Sequence, residues 1–168
     1  MTRKIFLLLT LFALLISLIS CVEDEPVYGY AEIRIDLNGT FSEHNSDGIY
    51  DAAYSDGRIV VGILRLSFAA CEADGIPATV SPRIFSGYYR QRALDGVDVS
   101  ETVTDGDVVY FTYRQSSVLG DDYTYLATFF KTPYAYFVIT YVMPSEEFER
   151  NGFSEVIEYA HTTRIVLD

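Results

Sequence analysis

At 168 residues, 49% hydrophobic and 21% charged, the chain is too apolar for a disordered tail and long enough for one ordinary domain. Its formal charge of −12 sets it against phosphate backbones, so nucleic acid is not expected as a partner. Fourteen Tyr and eleven Phe, with no Trp, favour strands, whose pleated and half-buried surface accommodates rings.

The first residues read as a leader. Arg3 and Lys4 form a short positive region, and Ile5 to Ile19 follow as an apolar run broken only by Thr10 and Ser17. The run is shorter than the roughly 20 apolar residues a membrane span needs, and it stops against Glu23-Asp24-Glu25. Leu18-Ile19-Ser20-Cys21 has a branched apolar residue three before the cut, a small residue just before it, and Cys directly after. It resembles the lipobox of bacterial lipoproteins. The resemblance implies that signal peptidase II cleaves after Ser20, that the Cys21 thiol carries diacylglycerol, and that the new amino group is often acylated as well. The expected organisation is a signal peptide over 1–20, an acidic tether over 21–29 and one globular domain over 30–168. Loss of Arg3 and Lys4 takes the formal charge from −12 to −14 and leaves Lys131 as the single lysine. Val22 is not the Asp that resembles an inner-membrane retention signal, which leaves the outer membrane open, on its periplasmic face or at the cell surface. Glu23-Asp24-Glu25 resembles the acidic export signal of Bacteroidetes lipoproteins and reads equally well as a solvated tether.

In the domain, Ala31, Ile33, Ile35 and Leu37 alternate with Glu32, Arg34 and Asp36, the period of a strand with one buried face. Asn38-Gly39 breaks it, and a polar loop is expected to about Ser46. Ile49 to Tyr54 and Arg58 to Phe68 are expected as two strands joined at Ser55-Asp56-Gly57, where Asp-Gly supplies a positive φ. The second is apolar almost throughout and should be central, covered on both faces. Ala69 to Val80 reads as a loop or an irregular turn. Ser81-Pro82 then starts a helix, with Ile84, Phe85, Tyr88 and Tyr89 at helical spacing and Gly96 just past its end. Val97 to Val103 and Asp107 to Arg114 flank a second Asp-Gly turn. Tyr123 to Phe130 and Tyr134 to Met143 flank Lys131-Thr132-Pro133. A closing helix carries Phe153, Val156, Ile157 and Ala160 at i, i+3, i+4 and i+7, with Gly152 as a point of division, before a short β-like tail from Thr162 to Leu167.

This order predicts an α+β domain, an antiparallel sheet of about six to seven strands flanked by two helices. From Tyr30 to Leu167 it resembles the PsbP-like fold of photosystem extrinsic proteins, Mog-type Ran-binding proteins and many bacterial lipoproteins. That family's roles are diverse and mostly non-enzymatic, so the resemblance implies a fold rather than an activity. The alternative is an all-β sandwich.

No catalytic constellation is found, and no cofactor is expected. His44 and His161 are isolated, so no metal site of nitrogen or sulfur ligands is expected. Asp47, Asp51 and Asp56 fall where turn chemistry accounts for them without calcium. Once Cys21 is acylated, Cys71 has no disulfide partner and reads as a small buried apolar residue. The tyrosines are the most suggestive feature: by strand parity Tyr123 and Tyr125 share one face, as do Tyr134 and Tyr136, and Tyr141 points opposite to Tyr136. Two readings stand side by side, packing beneath the helices and a platform for a protein or glycan. The function expected is a non-catalytic, lipid-anchored binding or scaffold protein of the cell envelope. The competing expectations are a hydrolase whose carboxylates the fold assembles, and an inhibitor with an acidic face that blocks a basic effector.

Overall fold

The computed structural model describes residues 31–46, 48–117 and 119–167. Leu18, Ile19, Ser20, Cys21 and the acidic tether lie outside the described residues. Among the described residues, nine strands form two antiparallel sheets. β1 (Ala31–Arg34) pairs with β9 (Arg164–Leu167) in a two-stranded ribbon. The other seven run in the order β2-β3-β4-β8-β7-β6-β5: β2 (Ser42–Glu43), β3 (Ala52–Ser55), β4 (Val60–Ser67), β5 (Val103–Asp105), β6 (Val108–Ser116), β7 (Asp122–Lys131) and β8 (Ala135–Pro144).

Local chemistry sets the turns. Between β3 and β4, Gly57 takes φ 89°, and the Asp56 carboxylate accepts from the Arg58 and Ile59 amides at 2.8 and 2.7 Å. Between β5 and β6, Gly106 takes φ 57°. Between β7 and β8, Thr132 Oγ1 accepts from the Tyr134 and Ala135 amides and donates to Ala135 O. β4 is central, as its apolar run predicts. It pairs with β3 on one side and, over eight residues from Val60↔Val142 to Ser67↔Ala135, with β8 on the other. That last pairing joins the early hairpin to the later meander.

Helices cover both faces. α1 (Phe68–Ala73) and α2 (Pro82–Ala93) lie on one face, with Phe85, Cys71 and Leu94 packed against Val109, Phe111, Phe129, Tyr136 and Val138. On the other face, α4 (Phe153–His161) brings Val156 and Ala160 against Leu126, Phe137, Ile139 and Tyr141, and Ile33, Ile35 and Leu37 complete the layer. Each fully buried side chain of this size is worth about 1.5–3 kcal/mol. The molecule is therefore α+β, and the all-β alternative fails because helices seal one face of the seven-stranded sheet and, together with the small β1–β9 ribbon, the other.

Several boundaries differ from the expectation. Phe68–Ala73 is a helix and not a loop: Ser67 Oγ accepts from the Ala70 amide at 3.2 Å, a cap that starts one short turn beneath β4. Ser81 caps α2 as expected, accepting from Ile84 N at 3.3 Å. Val97 to Val103 is not a strand; Val99 makes one isolated bridge to Tyr113, and the chain pairs again only at Val103. The closing helix is in pieces, with α3 (Ser145–Glu147), a π-helical turn (Phe148–Gly152) and then α4. Gly152 is buried, and the Met143 side chain occupies the place a Cβ would take, so the widened turn passes where no other residue fits.

Candidate binding surface

The tyrosines divide by burial. Tyr136 is fully buried: its ring stacks on Phe85 at 4.1 Å and 5°, and its hydroxyl donates to Pro77 O and Val80 O at 3.1 and 3.0 Å. Its expected place on a binding surface is corrected, because α2 roofs this part of the sheet and turns the ring into core. Tyr134 lies in the turn before β8, so strand parity does not put it beside Tyr136. Tyr141 does point opposite to Tyr136, into the layer under α4. Its hydroxyl is buried facing that of Thr163, and among the described residues neither completes a well-formed hydrogen bond.

Tyr123 and Tyr125 share the α2 face but lie near the start of β7, whereas Tyr136 sits opposite Lys131 at its end. The four expected residues therefore form no single patch. Tyr125 instead opposes Tyr113 across the β6–β7 ladder, and their rings stack at 4.7 Å and 11°. Tyr50 and Tyr89 join them. Tyr89 projects from α2, its ring 5.6 Å from Phe129. Tyr50, in the loop before β3, lays its ring flat over Gly62, where a Cβ would stand 2.5 Å from the ring, and its hydroxyl bonds to Thr140. Gly62 inside an apolar strand was the one sequence signal for this approach, since glycine there marks a close neighbour.

These hydroxyls are held neutral. Burial pushes the Tyr113 phenol far above its ordinary value of 10, and the neighbouring Tyr89, Tyr50 and Tyr125 raise it further. Burial likewise raises Tyr50, Tyr89 and Tyr125. The cluster thus offers neutral donors and acceptors beside aromatic faces. Tyr113 is buried at its base, while Tyr50, Tyr89, Tyr125 and the adjacent Tyr123, Val60 and Val142 are only half-buried.

Beyond Tyr123 the surface turns acidic. A groove of about 750 Å³ is lined by five carboxylates, from Asp121 and Asp122 at the start of β7 and from Glu146, Glu147 and Glu149 after β8. Arg114 pairs with Glu149, and Arg150 lies 3.8 Å from Glu146. Other polar groups serve the fold. Asp51 accepts from the Arg65 amide at 2.6 Å, and His161 Nε2 lies 3.1 Å from Asp105. Cys71 is buried, and burial first, then the Asp74 charge, pushes its thiol up and away from the reactive thiolate. Among the described residues, no three His, Cys, Asp or Glu side chains are arranged to hold a metal ion.

No protein-family model matches the chain, and no curated protein matches it. Among solved structures it is similar to LpqN of Mycobacterium tuberculosis, described as involved in cell envelope biogenesis. The two share 12% identity over 86% of this chain and 87% of that one, with a TM-score of 0.48.

Proposed function

We propose that this protein is a lipid-anchored, non-catalytic binding or accessory protein of a bacterial cell envelope, held at the outer membrane through Cys21. The observation that carries this reading is the apolar run Ile5 to Ile19 ending in Leu18-Ile19-Ser20-Cys21 and followed at once by acidic residues. Two or three acyl chains, at about 0.8 kcal/mol per buried methylene, make such an attachment effectively permanent. The half-buried tyrosines around Tyr125 supply the contact surface, since phenol rings give large contact area at low entropic cost to a protein or a glycan.

The anchor is tested by growing cells that express the full chain with radiolabelled palmitate. Label should enter the protein and be lost in Cys21→Ser. Unlabelled protein, or a purified chain that retains Arg3 and Lys4, refutes the reading.

A further inference from the structure

The end of the sheet opposite the acidic groove carries a cleft of about 630 Å³ lined by Lys131, His161, Thr163, Arg164 and Ile165, with Pro82 at its rim. Lys and Arg are scarce in the chain, 12 against 24 acids, yet three basic residues from β7, the end of α4 and the start of β9 line this one cleft. Asp107 lies in its lining, and Asp105 engages His161 Nε2 at 3.1 Å. Lys131 and Arg164 make no ion pair among the described residues. The Lys131 ammonium donates to Val80 O at 3.1 Å and lies 5.7 Å from the Phe68 and Tyr136 ring centres, so it is held in place with donors to spare. Among the described residues Arg164 is pinned through Nη1, to His161 O at 3.0 Å and Thr163 O at 3.1 Å, which leaves Nε and Nη2 of its fork for a ligand.

We propose that this cleft binds a phosphate group, and that in the anchored protein the phosphate belongs to a lipid headgroup; the second half rests on acylation at Cys21. A phosphate matches the donor set, since a fork and an ammonium from separate elements can hold a tetrahedral oxyanion from two sides, with the His161 ring, engaged by Asp105 through Nε2, beside them. Pro82 opens α2, whose first turn carries no acidic residue, so the Ser81-capped positive end of that helix also lies at the cleft. The headgroup source follows from where the chain enters the fold. Ile165 of the cleft pairs with Ile33, and Arg164 with Arg34. Only nine residues lie between Cys21 and Ala31, ten chain steps with a reach of at most about 35 Å, so the cleft lies near the bilayer that holds the acyl chains. Charge sets the same orientation: β7 begins at Asp122 in the acidic groove and ends at Lys131 in the cleft. An anionic surface repels the first end, which turns the end that carries Lys131 toward the bilayer.

Lys131 is also the reporter, because Lys4 is the only other lysine in the full chain and peptide mass spectrometry separates the two. Amine acetylation at Lys131 is timed on the lipidated protein in detergent with inorganic phosphate, against chloride at equal ionic strength. It is timed again in digalactosyldiacylglycerol vesicles with and without phosphatidylglycerol. Phosphate should slow labelling at least about fivefold when it exceeds its dissociation constant severalfold. Phosphatidylglycerol should do the same with no phosphate added. Arg164→Gln and, independently, His161→Gln should weaken both effects. Slowing by phosphate but not by phosphatidylglycerol overturns the headgroup assignment and leaves a site for free phosphate. An unchanged rate in both arms, or full protection in both variants, overturns the site. The solution arm needs no acyl chain, so protection there with no palmitate at Cys21 separates failure of the anchor from failure of the cleft.

Discussion

Under α4 the sheet sets aliphatic side chains, Val61, Leu126 and Ile139, among the separate rings of Phe130, Phe137 and Tyr141, with Val156 and Ala160 above them. Under α1 and α2 it presents rings: Phe85 stacked on Tyr136, with Phe111 and Phe129 tilted against each other at 5.0 Å. The packing on this side is largely non-directional and closes against α4 and the β1–β9 ribbon. The aromatic layer depends on ring geometry, and its tyrosine hydroxyls must each find a partner or an edge. On this side the rings also run past the helices to the half-buried Tyr125 and Tyr123, so one set of side chains serves first as core and then as surface.

The comparison breaks most sharply at Phe85. It is 1% exposed and touches both Tyr136 and Phe129, so Phe85→Ala should cost about 3–5 kcal/mol in urea unfolding. Leu126→Ala on the aliphatic side should cost about 2–5 kcal/mol by the same mechanism. A Phe85 loss below about 1 kcal/mol would mean that the aromatic side is loosely filled.

Alkaline pH probes both faces at once. Tyr113 on one side and Tyr141 on the other are buried with pKa values raised above the ordinary 10, chiefly by burial. Below pH 10 both states keep these protons and the stability is fully present. Above it the unfolded chain loses them while the fold holds them, so stability falls as pH rises toward the folded values. Each such group contributes about 1.4 kcal/mol per pH unit in that window. Urea midpoints measured from pH 8 to about 11 should be level at first and then drop. A flat profile would show that these phenols ionise within the fold.

Local patterns made much of this legible. The Asp-Gly pairs at 56–57 and 105–106 mark real turns, Ser81-Pro82 starts a real helix, and the unbroken apolar run of β4 announces a strand covered on both sides. Strand parity sorted Tyr136 from Tyr141 correctly. It could not tell which parts of a face a helix would roof, and so it left Tyr136 a surface candidate. α1 escaped notice because six residues are too few to show a helical period, although Ser67 was there to cap it. Tyr50 and the cationic cleft are long-range products: one rests on a glycine 12 residues away, the other gathers side chains from three elements.

Tyr50 yields the next effect in size. Gly62→Ala places a Cβ 2.5 Å from the Tyr50 ring, a contact real structures do not tolerate, so the ring or the loop before β3 must move. Overpacking of this kind costs about 1–3 kcal/mol. The shift should show in tyrosine fluorescence, while Tyr50→Ala in the same background should recover most of the loss. If Gly62→Ala is neutral on its own, the ring does not rest on the sheet and the tyrosine cluster loses one wall.

The smallest effect tests how the aliphatic side is tied down at its rim. Arg58, in the β3–β4 turn, donates through Nη2 to both Glu155 oxygens at 2.6 and 2.7 Å, which fastens α4 to the hairpin. The carboxylate holds the Arg58 guanidinium above its ordinary value, first through this hydrogen bond. The side chains nevertheless remain 40% and 31% exposed, so water screens most of the attraction. A double-mutant cycle with Arg58→Ala and Glu155→Ala should therefore give a coupling under about 1 kcal/mol, smaller still in high salt. Tyr159 and Asn38 extend the contact, with Asn38 Nδ2 donating to Tyr159 Oη at 2.7 Å and that hydroxyl reaching Glu155 at 3.5 Å. A coupling well above about 1 kcal/mol would mean that this chain acts as one unit, and that α4 owes its seat to a polar clasp as much as to Val156 and Ala160.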